Sequence, residues 1–116
     1  MKRTNKSVEI HVRCWLEVNG IKFFGPGRVD LLEKIIEFGS ISKAAQSMNM
    51  SYKKAWGMIE EINALARTPF VIARKGGHAG GGAEVTQAGI LAVRSFKRLN
   101  KKISLLVGKE SELLKL

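Results

Sequence analysis

Ser51-Tyr52-Lys53-Lys54 gathers two hydroxyls and two ammonium groups in four consecutive residues. Hydroxyls can donate to phosphate oxygens or to base edges, and a lysine ammonium reaches both phosphates and guanine acceptors. Ser51 stands where it can cap a helix whose inner positions are Ala55, Ile59, Ile62 and Ala66. The four residues then form that helix's first turn, where the backbone dipole favours a nearby anion. A shorter helix is expected just before it, capped by Ser40 or Ser42, with Ile41, Ala44, Ala45 and Met48 inside and Lys43 in its first turn. Asn49 tolerates the left-handed conformation that a tight turn demands, and Met50 follows as an apolar plug. Two helices joined this way over 40–66 have helix-turn-helix spacing. That unit leaves the start of the second helix free to enter a major groove. Trp56, beside Ala55, is expected on or next to that helix and partly buried.

The next chemistry lies at Arg74-Lys75-Gly76-Gly77-His78. Phe70 to Arg74 is strand-like, Gly76 to Gly82 is a glycine-rich loop, and Ala83 to Val85 can return as a second strand. A hairpin directly after a reading helix makes a wing. Arg74 and Lys75 at its base could clamp phosphates, and glycines at its tip let backbone N–H groups approach closely. The loop lacks the Gly-Lys-Ser/Thr ending of a nucleotide-binding P-loop. Two histidines and one cysteine, widely separated, have no zinc-site spacing. No Ser-His-acid arrangement is visible and the carboxylates fall on outer helical faces, so neither catalysis, a metal nor a cofactor is expected.

The elements that position these groups follow from periodicity. Val8, Ile10, Val12, Cys14, Leu16 and Val18 alternate with polar residues, which predicts a strand over 8–18 with Cys14 as a small buried hydrophobe. Asn19-Gly20 predicts a tight hairpin returning over Ile21 to Phe24, and Gly25-Pro26-Gly27 is expected to break the chain. Val29, Leu32, Ile35 and Ile36 have helical spacing over 28–38, with Gly39 as the stop. Pro69 is expected to end the third helix. Thr86 is expected to cap a last helix over 86–107. On it Ala92, Phe96, Leu99, Ile103 and Leu106 alternate by four and three, an apolar seam suited to a partner helix, with Gly108 as its interruption.

The 116 residues carry a formal charge of +10, which favours a polyanionic partner. Residues 28–66 are neutral overall, yet Lys43, Lys53 and Lys54 cluster between acids at Asp30, Glu33, Glu37, Glu60 and Glu61. That pattern describes a directed face. The basic run Arg94, Lys97, Arg98, Lys101 and Lys102 reads as a solvated helix face. No apolar run approaches the roughly 20 residues of a membrane span and no signal-peptide core follows the basic amino terminus. The expected location is cytoplasmic, with no membrane partner.

Gly39-Ser40-Ile41-Ser42, Ala44-Ala45, Ser51-Tyr52-Lys53, Ala55-Trp56, Gly76-Gly77, Gly80-Gly81-Gly82-Ala83 and Thr86 with Gly89 occur in this order. Together they resemble the amino-terminal DNA-binding domain of the ModE family of molybdate-responsive transcriptional regulators. More loosely, they resemble the winged domains of LysR-type regulators. The resemblance covers roughly residues 28–100 and implies a winged helix dimer on operator DNA, with Ser51, Tyr52, Lys53 and Trp56 on or beside the reading helix. ModE's molybdate-binding domains would follow where this chain stops, at Leu116.

The resulting expectation is an α+β winged helix-turn-helix domain over 1–116: a hairpin at 8–24, a three-helix core at 28–66, a wing at 70–85 and a dimerisation helix at 86–107. It would act as a sequence-specific, double-stranded-DNA-binding, single-domain transcriptional regulator without a molybdate-binding domain in cis. DNA contacts would come from Ser42, Lys43, Ser51, Tyr52, Lys53, Lys54, Trp56, Arg74, Lys75, Gly76, Gly77 and His78. In a homodimer paired through the apolar seam, two reading helices would enter grooves about 34 Å apart. The alternatives are a protein-docking winged domain and a non-specific, nucleoid-type binder.

Overall fold

The computed structural model describes residues 9–74 and 82–110. Their order is β1 (Leu16–Val18), β2 (Ile21–Phe24), α1 (Pro26–Phe38), α2 (Ile41–Ser47), α3 (Tyr52–Leu65), β3 (Val71–Arg74), β4 (Gly82–Val85) and α4 (Gln87–Glu110). This is a mixed architecture of four helices and two separate two-stranded antiparallel sheets, β1–β2 and β3–β4.

The first hairpin turns as its sequence demands, with φ of 51° at Asn19 and 78° at Gly20. It is shorter than the alternation suggests. Only Leu16–Val18 pair, Val18 opposite Ile21 and Leu16 opposite Phe24; residues 9–15 are not strand, and Cys14 is only half-buried. A period of two needs a partner strand to become a ladder, and β2 offers four residues. Pro26 does not break the chain but begins α1. Its missing N–H is one that a helix start leaves unpaired, and its fixed φ suits the first turn. Gly39 closes that helix in the left-handed conformation at φ 64°.

The core forms where α1, α2 and α3 meet: Leu31, Leu32 and Ile35 from α1, Ala44 and Ala45 from α2, and Ala55, Ile59 and Ile62 from α3. Phe24 joins it from β2 and stands edge-on to both Phe70 (5.7 Å) and Phe96 (5.8 Å), so one ring ties the hairpin to the entry of β3 and to α4. Two polar side chains fix the joints. Arg28, 7% exposed, donates to the Lys22 and Phe23 carbonyls and pairs with Glu61, linking β2, α1 and α3. Asn63 on α3 donates to the Val71 carbonyl and accepts from the Phe70 amide, both at 2.9 Å. It thereby holds the start of β3 as a neighbouring strand would. The third helix ends at Leu65, capped by Ala66, before Pro69 is reached.

The last helix departs from expectation in two ways. It runs through Gly108 to Glu110, because a single glycine costs a helix only about 1 kcal/mol. Its apolar seam is also divided. Phe96 is buried in the chain's own core, Ala92 and Ile103 are half-buried, and Leu99 and Leu106 are exposed. Thr86 donates from its hydroxyl to the Pro69 carbonyl (2.7 Å) and accepts from the Gly89 amide (3.2 Å), the capping geometry its position suggests. Lys97 on α4 donates to Glu33 on α1 at 2.8 Å, and that carboxylate raises the lysine's pKa above its ordinary value. Among the described residues no helix is long and apolar enough to cross a membrane.

Candidate nucleic-acid interface

The site begins with two serine caps. Ser40 Oγ accepts the Lys43 amide at 3.2 Å and so caps α2, leaving Ser42 exposed in its first turn. Ser51 Oγ accepts the Lys54 amide at 3.0 Å and caps α3. Between them the chain reverses through Asn49 at φ 53°, and the Met50 amide returns to the Ala45 carbonyl at 3.0 Å. Met50 packs against the core as the plug the sequence suggests. This turn sets the start of α3 facing outward. Replacing Ser51 with alanine is expected to cost about 1 kcal/mol, seen as a lower urea midpoint with an unchanged m-value.

Tyr52 is 56% exposed and Trp56, one turn further on, 36%. Ser42, Lys43, Ser51, Lys53 and Lys54 are exposed as well. Among the described residues none of these three lysines has an ion pair. Ser42 and Tyr52 also meet across a shallow depression with Ser40, Ile41 and Gly82. The starts of α2, α3 and β4 therefore share one surface. It is held there by the Ala83 amide, which donates to the Gly39 carbonyl at 3.0 Å. Among the described residues no carboxylate lines the depression; Asp30, Glu33 and Glu37 line a separate concavity with Lys34 and Met48.

Arg74, expected at the wing base as a phosphate clamp, donates from its Nε to Glu84 on the facing strand at 3.0 Å in an exposed ion pair. The spacing of ten residues gives no hint of this, because β-ladder register is needed to bring the two side chains together. Lys75, Gly76, Gly77 and His78 lie outside the described residues. The seam residues on α4 are not part of this surface. Arg28 and Asn63 are structural residues that sequence reasoning missed; only their polarity at positions adjoining apolar helical runs could have marked them.

No family model matches the chain. Curated proteins do. The molybdenum-pterin-binding proteins MopA and MopB of Rhodobacter capsulatus are 37% and 39% identical over 93 and 92 residues, 80% and 79% of this chain. The DNA-binding transcriptional dual regulator ModE of Escherichia coli K12 is 43% identical over 77 residues, 66% of this chain and 29% of that protein. The matches cover 35% of MopA and 34% of MopB, so the chain spans about a third of the length of the relatives it matches. The expectation of a single-domain DNA-binding regulator without a molybdate-binding part is overturned by this comparison. Two relatives matched over four fifths of the chain are named for molybdenum–pterin binding. The same finding weighs against the protein-docking and nucleoid-type alternatives, which involve no molybdenum. Over about two thirds to four fifths of its own length, this chain is similar in sequence to one part of the ModE and Mop molybdenum proteins.

Proposed function

We propose that this chain serves a molybdenum-linked function of the ModE and Mop kind, in which binding of molybdate or a molybdenum–pterin is coupled to contact with duplex DNA. The observation that carries the molybdenum part is the match, over four fifths of the chain, to two proteins named for molybdenum–pterin binding. Molybdate is a tetrahedral oxyanion, held by N–H, O–H and cationic donors rather than by carboxylates. The Ser42 and Tyr52 hydroxyls, with Lys43 and Lys53 exposed in the same first turns, supply donors of that type. A DNA phosphate asks for the same chemistry.

For the DNA partner, the support is the arrangement. A capped α3 with exposed lysines in its first turn, unpaired among the described residues, follows a tight turn from α2, and the antiparallel β3–β4 ladder comes next in the position of a wing. In this reading the domain is a winged helix. Ser42, Lys43, Ser51, Tyr52, Lys53, Lys54 and Trp56 face the duplex, and the β3–β4 strands lie beside them. Two copies pair through the open flank of α4, where Leu99 and Leu106 are exposed at heptad spacing.

The test is fluorescence anisotropy of a labelled duplex with and without molybdate, with sulfate as the control anion. Equilibrium dialysis then measures molybdenum retained by the protein. The expected result is retained molybdenum together with duplex affinity that changes severalfold with molybdate and not with sulfate. Duplex binding indifferent to molybdate, with no molybdenum retained, would sink the coupling.

A further inference from the structure

We infer that the outward side of α4 is a docking strip for an acidic, leucine-bearing helical segment of another protein. At about 100° per residue, Leu91, Arg94, Arg98, Lys101, Lys102, Leu105 and Lys109 share an arc of about 100°. Gly89, Val93 and Phe96, which α4 buries in the core, lie on the opposite side. All seven arc residues are exposed, Leu91 by 51% and Leu105 by 60%. Among the described residues none of the five cations has an ion pair. Lys97, which pairs with Glu33, falls outside the arc, and so does Glu110, the one carboxylate that α4 carries. A solvated helix face commonly interleaves both signs. Here Arg94 with Arg98 and Arg98 with Lys102 are like charges four residues apart, which repel. The arc therefore sets up a positive field along about 22 Å of rigid helix.

This strip is separate from the surface shared by α2, α3 and β4. The carboxyl end of α1 reaches that surface, where the Ala83 amide meets the Gly39 carbonyl. From there α4 runs back along α1: Ile90 lines one concavity with Ile36 and Gly39, and Asn100 lines another with Pro26. Arg98 is thus set back by roughly the length of α1, 13 residues or about 20 Å. Lys101, Lys102, Leu105 and Lys109 lie further out. Charge complementarity asks for an acidic partner, and two exposed leucines four turns apart ask for apolar side chains to cover them. A duplex backbone would pair with the cations and leave both leucines uncovered. A lipid surface requires a broad apolar face, and the arc has two leucines among five cations. A second copy is poorly matched: its α4 repels this one, and on its α1 Glu33 and Glu37 are already paired with Lys97 and Lys34. An acidic helix with leucines at matching spacing engages all seven residues, as apolar seams and flanking charges combine in paired helices. This docking adds to the function proposed above and does not rest on it.

The experiment measures the anisotropy of a labelled helical peptide of glutamate, alanine and leucine, with its leucines four turns apart, titrated with the full chain. Polyglutamate of the same length, an unrelated duplex and phosphatidylglycerol vesicles are the comparison probes. The leucine peptide is expected to bind saturably, and polyglutamate about tenfold more weakly. Leu105→Ser, and separately Arg98→Ala with Lys102→Ala, should each weaken the peptide about tenfold. Lys53→Ala with Lys54→Ala removes the same charge from α3 and should leave peptide binding unchanged. Every substituted side chain is exposed, so the far-UV circular dichroism of the variants should match the parent. No saturable binding, or polyglutamate as tight as the leucine peptide, overturns the inference. Equal losses from the α3 and α4 lysine and arginine variants overturn it too, because binding then follows net charge rather than the strip. If the α4 variants lose duplex or vesicle binding and keep the peptide, the strip serves a nucleic acid or a membrane and the inference is wrong.

Discussion

Replacing Gly89 with alanine is expected to destabilise the protein by about 3 kcal/mol, the upper end for forcing extra volume into a packed interior. The added Cβ would lie 2.6 Å from the Phe70 carbonyl oxygen, 2.7 Å from Val85 Cγ1 and 3.2 Å from Phe70 Cβ. Two of these neighbours cannot swing aside. The Phe70 carbonyl is backbone and already accepts the Thr86 amide at 2.9 Å, and Phe70 Cβ is fixed by it. Relief therefore requires the first turn of α4 to move away from β3 and β4. That movement also loosens Phe96, which Phe24 holds edge-on, and the Thr86 cap. For a domain near 100 residues the destabilisation corresponds to a Tm fall of about 12 °C or more. Gly27→Ala is the control, since a Cβ there meets nothing within 4 Å. It should leave Tm within a few degrees of the parent. A cost below about 1 kcal/mol for Gly89→Ala would mean that α4 can shift without disturbing the β3–β4 ladder.

This joint explains which parts of the fold were legible in the sequence. Elements defined by neighbours a few residues apart could be read directly: the Asn19-Gly20 turn, the left-handed Asn49, the Ser51 cap and the inner face of α3 at Ala55, Ile59 and Ile62. Each rests on dihedral preference or a period of 3.6, which the residues carry themselves. What depended on a distant partner was not legible. The alternation over 8–18 has no length of opposing strand to pair with, so β1 shrinks to Leu16–Val18. Arg28 reaches Glu61, 33 positions away, and Arg74 pairs with Glu84 across a ladder. The heptad spacing in α4 marks apolar positions, yet spacing alone cannot say which of them a chain keeps for its own core. Phe96 goes inward and Leu106 stays outside because Phe24 is positioned to receive a ring one turn after Ala92.

The same distinction governs the second large effect. The double substitution Lys53→Ala with Lys54→Ala is expected to weaken duplex binding by about a hundredfold at low salt. It should also make the slope of log affinity against log salt shallower by nearly two, about 0.9 for each phosphate that is no longer neutralised. Both ammonium groups are exposed in the first turn of α3 and have no ion pair among the described residues, so they can displace counterions from phosphates. Neither lies in the core, and the Ser51 cap uses the Lys54 amide rather than its side chain; thermal stability should hardly move. Arg74→Ala should behave differently. It removes one cation and releases Glu84 from its 3.0 Å partner, placing an uncompensated carboxylate beside the polyanion. Adding Glu84→Gln to Arg74→Ala is therefore expected to recover part of the affinity, which a simple phosphate clamp at Arg74 would not allow. Titrations at several salt concentrations, on the parent and these variants, separate the possibilities. Equal slopes for parent and double-lysine variant would remove α3's first turn from the duplex interface. Should the lysine variant keep its duplex affinity and cease to retain molybdenum instead, the basic face belongs to the oxyanion rather than to the nucleic acid.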